Sequence, residues 1–366
     1  MSFPLPGKCQ NCTFKFYVYP NCMKAISILI CVLVFQQSLA QTKTTSFALI
    51  DKRVKTIQAS TAEELSKKLT APYKTETEKV RALFKWITEN IAYDTKGYHN
   101  VEKIYEGFWR PDISLDDSAI KKDYNNRIVQ KVLTEKRAIC DGYSRLFKTL
   151  CDHAGIQSVI ITGFIRWSSD PVGVATNRAH AWNAVFINNS WKLIDATWAS
   201  GYCNAAVTTF TKFYDEFFFF TNPVHFFNDH FPDDKKWSLL PNTPTLYQFY
   251  NFPFYYPAFY KFKILSLSPV TGHIEVTVRN KKVVIEMETN EVTKDMYVYE
   301  SPYAESKTVS VDTLTDTELE ELYKPKYKVN GSKVTYTCEI QSDNAEKLHV
   351  MYNGKLILTY GLKIRK

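Results

Sequence analysis

The sequence predicts an α+β fold followed by a second, all-β domain, and three observations carry that prediction. Apolar residues recur at helical spacing between Thr61 and His153. Three short β-branched or alternating runs follow between Ser158 and Ala196. After Lys261 come six strand-like runs separated by turn signals. Helices first and a sheet second is an α+β order. At 366 residues, and about 150 residues per domain, two domains are expected.

The N-terminus reads as an export signal that begins late. Met23-Lys24 precedes the apolar run Ala25–Phe35, and Ser38-Leu39-Ala40 supplies small residues before Gln41. The expected start is Met23, with 1–22 an upstream extension and cleavage after Ala40. The run is too short to span a bilayer. No later stretch of about 20 apolar residues occurs, so a periplasmic or secreted chain without a transmembrane span is expected.

Residues 41–60 are polar and read as a flexible lead or a first strand. Thr61 is an N-cap with Glu63 and Glu64 in the first turn. Val80, Leu83, Phe84, Ile87 and Ile91 lie three or four residues apart and predict a helix over 77–91. Residues 94–125 read as a polar surface excursion, and 126–134 as a short helix. A helix is expected over 140–153, with Leu146, Phe147, Leu150 and Cys151 inward and Gly155 as its stop. The runs 158–164, 181–187 and 191–196 read as neighbouring antiparallel strands, the last two joined at Asn188-Asn189-Ser190. Residues 206–260 are rich in Phe, Tyr and Pro without clean periodicity, and read as a connecting segment packed on the first domain. Strands are expected at 273–278, 283–287, 296–299, 334–337, 348–352 and 356–360, with hairpin turns at Asn330-Gly331 and Asn353-Gly354. The expected divisions are 1–40, 41–205, 206–260 and 261–366.

Composition narrows the function classes. Formal charge is +8, falling to +5 once Lys8, Lys15 and Lys24 are set aside with residues 1–40. No Lys/Arg run reaches the density of a nucleic-acid patch, so no nucleic-acid partner is expected. Four cysteines, Cys140, Cys151, Cys203 and Cys338, follow residue 40, too few for a disulfide scaffold. Cys9 and Cys12 form a C-x-x-C with no second pair, so no metal and no cofactor are expected.

Three residues carry candidate chemistry. Cys140 opens the 140–153 helix, where free N–H groups and the helix dipole favour a thiolate. A free cysteine is more often an inert core residue. His180, in Arg178-Ala179-His180-Ala181-Trp182-Asn183, sits where a strand begins. It could hold the thiol proton and return it to a leaving group; a core histidine bonded to a carbonyl is the bland alternative. Asp195 ends an apolar strand, where an acid is costly unless paired. A turn over 187–191 would set it beside His180, to orient the ring. His225 and His230 read as structural anchors in the aromatic segment, and Cys151 as core.

These residues carry a resemblance. Lys79 to Tyr93, Cys140-Asp141-Gly142-Tyr143-Ser144, His180-Ala181-Trp182-Asn183 and Trp191 with Asp195-Ala196-Thr197-Trp198 together resemble the transglutaminase-like superfamily. The stretch Tyr214 to Leu240 is similar to its kyphoscoliosis peptidase branch. The resemblance implies a papain-like core with an Ig-like β-sandwich behind it, and a triad of Cys140, His180 and Asp195. It also implies a cysteine peptidase or amidase acting on a protein or peptide through a thioester. Transfer to an amine instead of water, or a silent core serving as a binding module, are the alternatives. Ala138 stands where such sequences often carry Gly, and no residue is evident as the second oxyanion donor. No EF-hand-like loop suggests calcium. Substrate and oligomeric state stay open.

Overall fold

Arg81 joins the first helix to the aromatic stretch through Asp51 and Glu216, and the fold is built outward from these helices. The computed structural model describes residues 47–105, 118–176, 178–302 and 326–366. The export-signal segment and the Cys9/Cys12 pair lie outside the described residues. Helix α1 (Ala48–Val54) occupies part of the stretch expected to be a lead or strand. Ile50 and Val54, four residues apart, bury one side of it, a repeat too short to register as periodicity. Helix α2 (Ala62–Thr70) is capped by Thr61, whose side chain accepts from the Glu64 N–H. Helix α3 (Glu76–Asn90) opens with a full capping box between Thr75 and Glu78 and buries Val80, Leu83, Phe84 and Ile87.

A two-residue strand β1 (Ala92–Tyr93) leads into helix α4 (Thr95–Tyr105). Helix α5 (Ser118–Glu135) is far longer than the expected 126–134. Among its described side chains the buried apolar ones begin at Val129 and continue with Val132 and Leu133, which is the part of the helix the sequence pattern marks. Strand β2 (Arg137–Ala138) pairs in parallel with β1, setting Tyr93 opposite Ala138. Helix α6 (Cys140–His153) has the expected bounds, and Gly155 follows it at φ +69°.

The sheet comes next. Strands β3 (Ser158–Ile165), β4 (Arg178–Ile187) and β5 (Ser190–Ile194) are antiparallel neighbours, and Asn188 and Asn189 both take positive φ in the tight β4–β5 turn. Helix α7 (Ala196–Ser200) and the small hairpin β6 (Gly201–Cys203) with β7 (Phe210–Lys212) follow. The aromatic stretch does more than connect. Its strands β8 (Phe219–Thr221) and β9 (His230–Pro232), separated by helix α8 (Pro223–Phe226), form the two outer strands of a five-stranded sheet ordered β8-β5-β4-β3-β9. Gly163 lies between His180 of β4 and Pro232 of β9 in the register. A Cβ there would run into the Phe231 carbonyl, Pro232 Cα and the Trp182 ring, so only glycine lets β9 approach.

Helix α9 (Leu246–Asn251) and strand β10 (Phe254–Tyr255) hand the chain to the C-terminal half. There β11 (Ile264–Ser268), β12 (His273–Thr277), β13 (Lys282–Thr289), β14 (Met296–Ser301), β15 (Tyr327–Asn330), β16 (Lys333–Glu339), β17 (Lys347–Tyr352) and β18 (Lys355–Arg365) form two sheets. One is β10-β18-β17-β14 with β12 parallel to β18, and the other β11-β13-β16-β15. Alternate residues of both, including Val283, Ile285 and Met287 from one and Val298, Val350 and Leu358 from the other, meet in one apolar core. Strands β11 and β15 were not among the expected ones. Asn353 and Gly354 both take positive φ at the β17–β18 turn, as a type I′ hairpin requires.

Residues Ala48–Lys366 form one compact unit. Arg166 fastens its parts together. Its guanidinium is buried and donates to the carbonyls of Asn228, Phe252 and Pro253 at 2.6, 2.8 and 2.9 Å. Among the described residues no helix is long and apolar enough to cross a membrane.

Candidate active site

Cys140 is the first residue of α6. Ile139 before it is extended and offers no side-chain cap, so no side chain competes for the N–H groups at that end. Gly142 lets the helix sit tightly, because a Cβ there would lie 2.7 Å from Ala138 Cβ and 3.0 Å from Val132 Cγ2. Tyr143 donates its hydroxyl to the Ile91 carbonyl at 2.7 Å and lies 3.1 Å from Ser200 Oγ. Asn183 on β4 donates to the Ser144 carbonyl at 3.1 Å. The start of α6 is thus tied to α3, α7 and β4 together.

His180 and Asp195 are both buried. His180 Nε2 lies 2.8 Å from Asp195 Oδ2. Asp195 also caps α7, its Oδ1 accepting from the Thr197 and Trp198 N–H groups at 2.8 and 3.0 Å. The second donor to Oδ2 comes from a residue read from the sequence as a structural anchor: His230 Nε2, at 3.1 Å. His230 Nδ1 in turn lies 2.6 Å from Asp229 Oδ1. Asp195 therefore accepts four hydrogen bonds, two on each oxygen, and its acceptor capacity is full. The available sequence signal was the adjacent acid and imidazole of Asp229-His230. His225 stands apart, stacked on Tyr260 with ring centroids 3.8 Å apart.

Cys140 and His180 line one cleft of about 780 Å³. Its walls are largely aromatic, with Tyr93, Tyr98, Trp167, Trp198, Phe210 and Phe218 among them. His180 itself is flanked by Trp182, stacked at 6.1 Å, and Trp198 at 5.7 Å. The three residues singled out from the sequence are thus neighbours around one cavity, with the sulfur and ring at its surface and the carboxylate behind.

Burial works against a charged His180 ring, but the Asp195 carboxylate and then Cys140, by charge and by hydrogen bonding, outweigh it and raise the ring from 6.5 to about 10. For Asp195 burial acts upward, and the His180 and His230 rings outweigh it, holding the carboxyl well below the usual range. A ring whose folded pKa exceeds its unfolded one stabilises fully below pH 6.5, and that contribution is lost as the pH rises through about 10. His180→Ala is therefore expected to lower Tm most near pH 6 and progressively less towards pH 10. A Tm difference that stays level across that range would contradict the assignment.

Burial pushes Cys151 up to about 12 and Cys338 up to about 11, and raises Cys203 as well. Cys151 is fully buried core, as the sequence suggests. His180, Asp195 and His230 also present three metal-ligand-type atoms within 4.8 Å of one another. The contacts to Asp195 have hydrogen-bond lengths and Asp195 and His230 are fully buried, so the group reads as a hydrogen-bonded array.

Residues 107–196 match the family model for the transglutaminase-like superfamily. The kyphoscoliosis peptidases of Mus musculus and Homo sapiens are 33% and 34% identical over 223 and 224 residues, or 60% and 61% of this chain. Those stretches make up 30% and 31% of the relatives, so this chain spans about a third of their length. A solved structure described as a TGase superposes over 48% of this chain and 38% of its own, at 18% identity and a TM-score of 0.24, too loosely to assign a fold. Residues 107–196 therefore match the transglutaminase-like superfamily, and over about 60% of its length the chain is similar to the kyphoscoliosis peptidases.

Proposed function

We propose that this chain is an exported thiol hydrolase that cleaves peptide or carboxamide bonds through Cys140, His180 and Asp195. One observation carries the reading: the Cys140 thiol and the His180 ring share a cleft, while a fully hydrogen-bonded Asp195 fixes that ring from behind. With Nε2 committed to Asp195, Nδ1 is the ring nitrogen left for the thiol. The thiolate attacks the acyl carbon, and the backbone N–H of Cys140 faces the developing oxyanion. His180 gives its proton to the departing amine, leaving a thioester. Water, deprotonated by the same ring, then releases the acid and restores the thiol. The named activity of the kyphoscoliosis peptidases supports hydrolysis over transfer. Export rests on the basic start, apolar run and small residues of 23–40. The paired C-terminal sheets fit an Ig-like sandwich acting as an accessory module.

The test is incubation with a peptide library, with and without a primary amine, read by mass spectrometry alongside thiol alkylation. Cleaved peptides are expected, and at pH 6–7 Cys140 should alkylate at least tenfold faster than Cys203 or Cys338, an advantage that His180→Ala removes. New amide cross-links would make the protein a transferase, and ammonia release without cleavage a deamidase. Equally slow thiols would leave only a binding module.

A further inference from the structure

We infer that His230, backed by Asp229, is a positioning residue that locks Asp195 in place and so sets the orientation of His180. This rests on the hydrolase reading above for its consequence, though not for its geometry. The contacts form an unbroken file: His180 Nε2 to Asp195 Oδ2 at 2.8 Å, Asp195 Oδ2 to His230 Nε2 at 3.1 Å, and His230 Nδ1 to Asp229 Oδ1 at 2.6 Å. An ionised carboxylate only accepts hydrogen bonds. The His230 ring thus stands between two carboxyl groups, with Nε2 towards Asp195 and Nδ1 towards Asp229.

The register explains how His230 reaches so far. It pairs with Ile165 of β3, two residues along from Gly163, which pairs with His180. Side chains two apart along a strand share a face, so His180 and His230 stand on the same face, with only glycine on the strand between them at that row. Their ring centroids are 5.5 Å apart. Packing supports the His230 ring on several sides: it stacks on Phe226 at 4.0 Å, and Trp198 and Trp182 lie at 4.6 and 5.1 Å. The charged and titratable groups that face this pair are Asp195 and His180 on one side, with Arg166 and Tyr260 near Asp229 on the other. His230 does not line the cleft, so it acts through Asp195 and not on substrate.

Without the His230 donor one corner of Asp195 is released, and the carboxylate can turn away from His180. The experiment uses the full chain labelled with ¹⁵N-histidine. Ring-nitrogen spectra and the rate of Cys140 alkylation by chloroacetamide are recorded for wild type, His230→Phe, His230→Gln, Asp229→Asn and His180→Ala. Glutamine can still donate to Asp195, whereas phenylalanine keeps only the packing. His230→Phe is expected to move the His180 ring resonances and slow alkylation about tenfold, the size of one lost hydrogen bond to a charged group. His230→Gln should recover to within about threefold of wild type. Superimposable His180 resonances in wild type and His230→Phe would overturn the inference. So would equal losses in the Phe and Gln variants, which would mark a purely structural role. Should the Phe variant not fold, Asp229→Asn decides by the same His180 resonances. If His180→Ala leaves alkylation untouched, the hydrolase reading falls, while the ring spectra still decide the place of His230.

Discussion

Asp195→Asn is expected to cut turnover about ten-thousandfold, with little change in KM and a folded protein. The magnitude is that of amidating the orienting acid in a Ser-His-Asp triad, where the loss comes from the wrong imidazole tautomer. The geometry here gives the same reason. Asparagine keeps one acceptor oxygen, and the Thr197 and Trp198 N–H groups, at 2.8 and 3.0 Å, claim it. Asparagine caps helices as well as aspartate, so α7 should survive. Its amide nitrogen then faces the two imidazole nitrogens that now meet Oδ2. Two donors cannot point at each other, so His180 must turn its bare Nε2 to the amide and carry its proton on Nδ1, towards Cys140. A ring in that form cannot accept the thiol proton. KM should hold because Asp195 does not line the cleft. The measurement is kcat and KM on the best peptide from the library, with alkylation of Cys140 as a substrate-free check. Turnover within tenfold of wild type would remove Asp195 from the proposed triad.

Asp195 was legible in the sequence because its setting is local: an acid closing an apolar strand must have a partner, and a short turn places that strand beside the one bearing His180. Cys140 was legible for a similar reason, since the periodicity of 140–153 starts at it. The role of His230 was not. Its partner Asp195 lies 35 residues away, and they meet only because β9 joins the far edge of the sheet across Gly163. Three-residue strands such as β8 and β9 are too short to show alternation, and Phe-rich surroundings hide what remains. The same limit explains α1, with two buried residues. Where strands were longer, as in β13 with its alternating Val283, Ile285 and Met287, pattern and structure coincide.

Arg81→Met is expected to lower the free energy of unfolding by about 3 kcal/mol, with Arg81→Lys recovering less than half of it. Arg81 lies on α3 with its side chain only 3% exposed. Nε and Nη2 donate to Asp51 of α1 at 2.8 and 2.7 Å, and Nη1 and Nη2 to Glu216 at 2.6 and 2.8 Å. Such a double fork needs a planar guanidinium; an ammonium can meet one carboxylate well, not two bidentately. Burial alone would lower the arginine's pKa, yet Asp51 and Glu216 outweigh it and raise it, so the charge is held by its partners. Asp51 and Glu216 are 21% and 57% exposed and can rehydrate when released, which places the cost towards the lower end for breaking a buried pair. Methionine keeps a flexible apolar side chain in the site but not the guanidinium, which stands over the Phe219 ring at 4.8 Å. The loss therefore reports the guanidinium's ion pairs together with its ring contacts. Urea unfolding of the two variants checks this, and a change below about 1 kcal/mol for Arg81→Met would contradict it. The effect should also reach the site. Glu216 begins the turn that carries Phe218, whose carbonyl accepts from the Asp195 N–H at 3.1 Å and whose ring packs on Trp198 at 5.4 Å. Loosening that turn frees the backbone beside Asp195, so Cys140 alkylation in Arg81→Met should slow by a few-fold even where the protein is still folded.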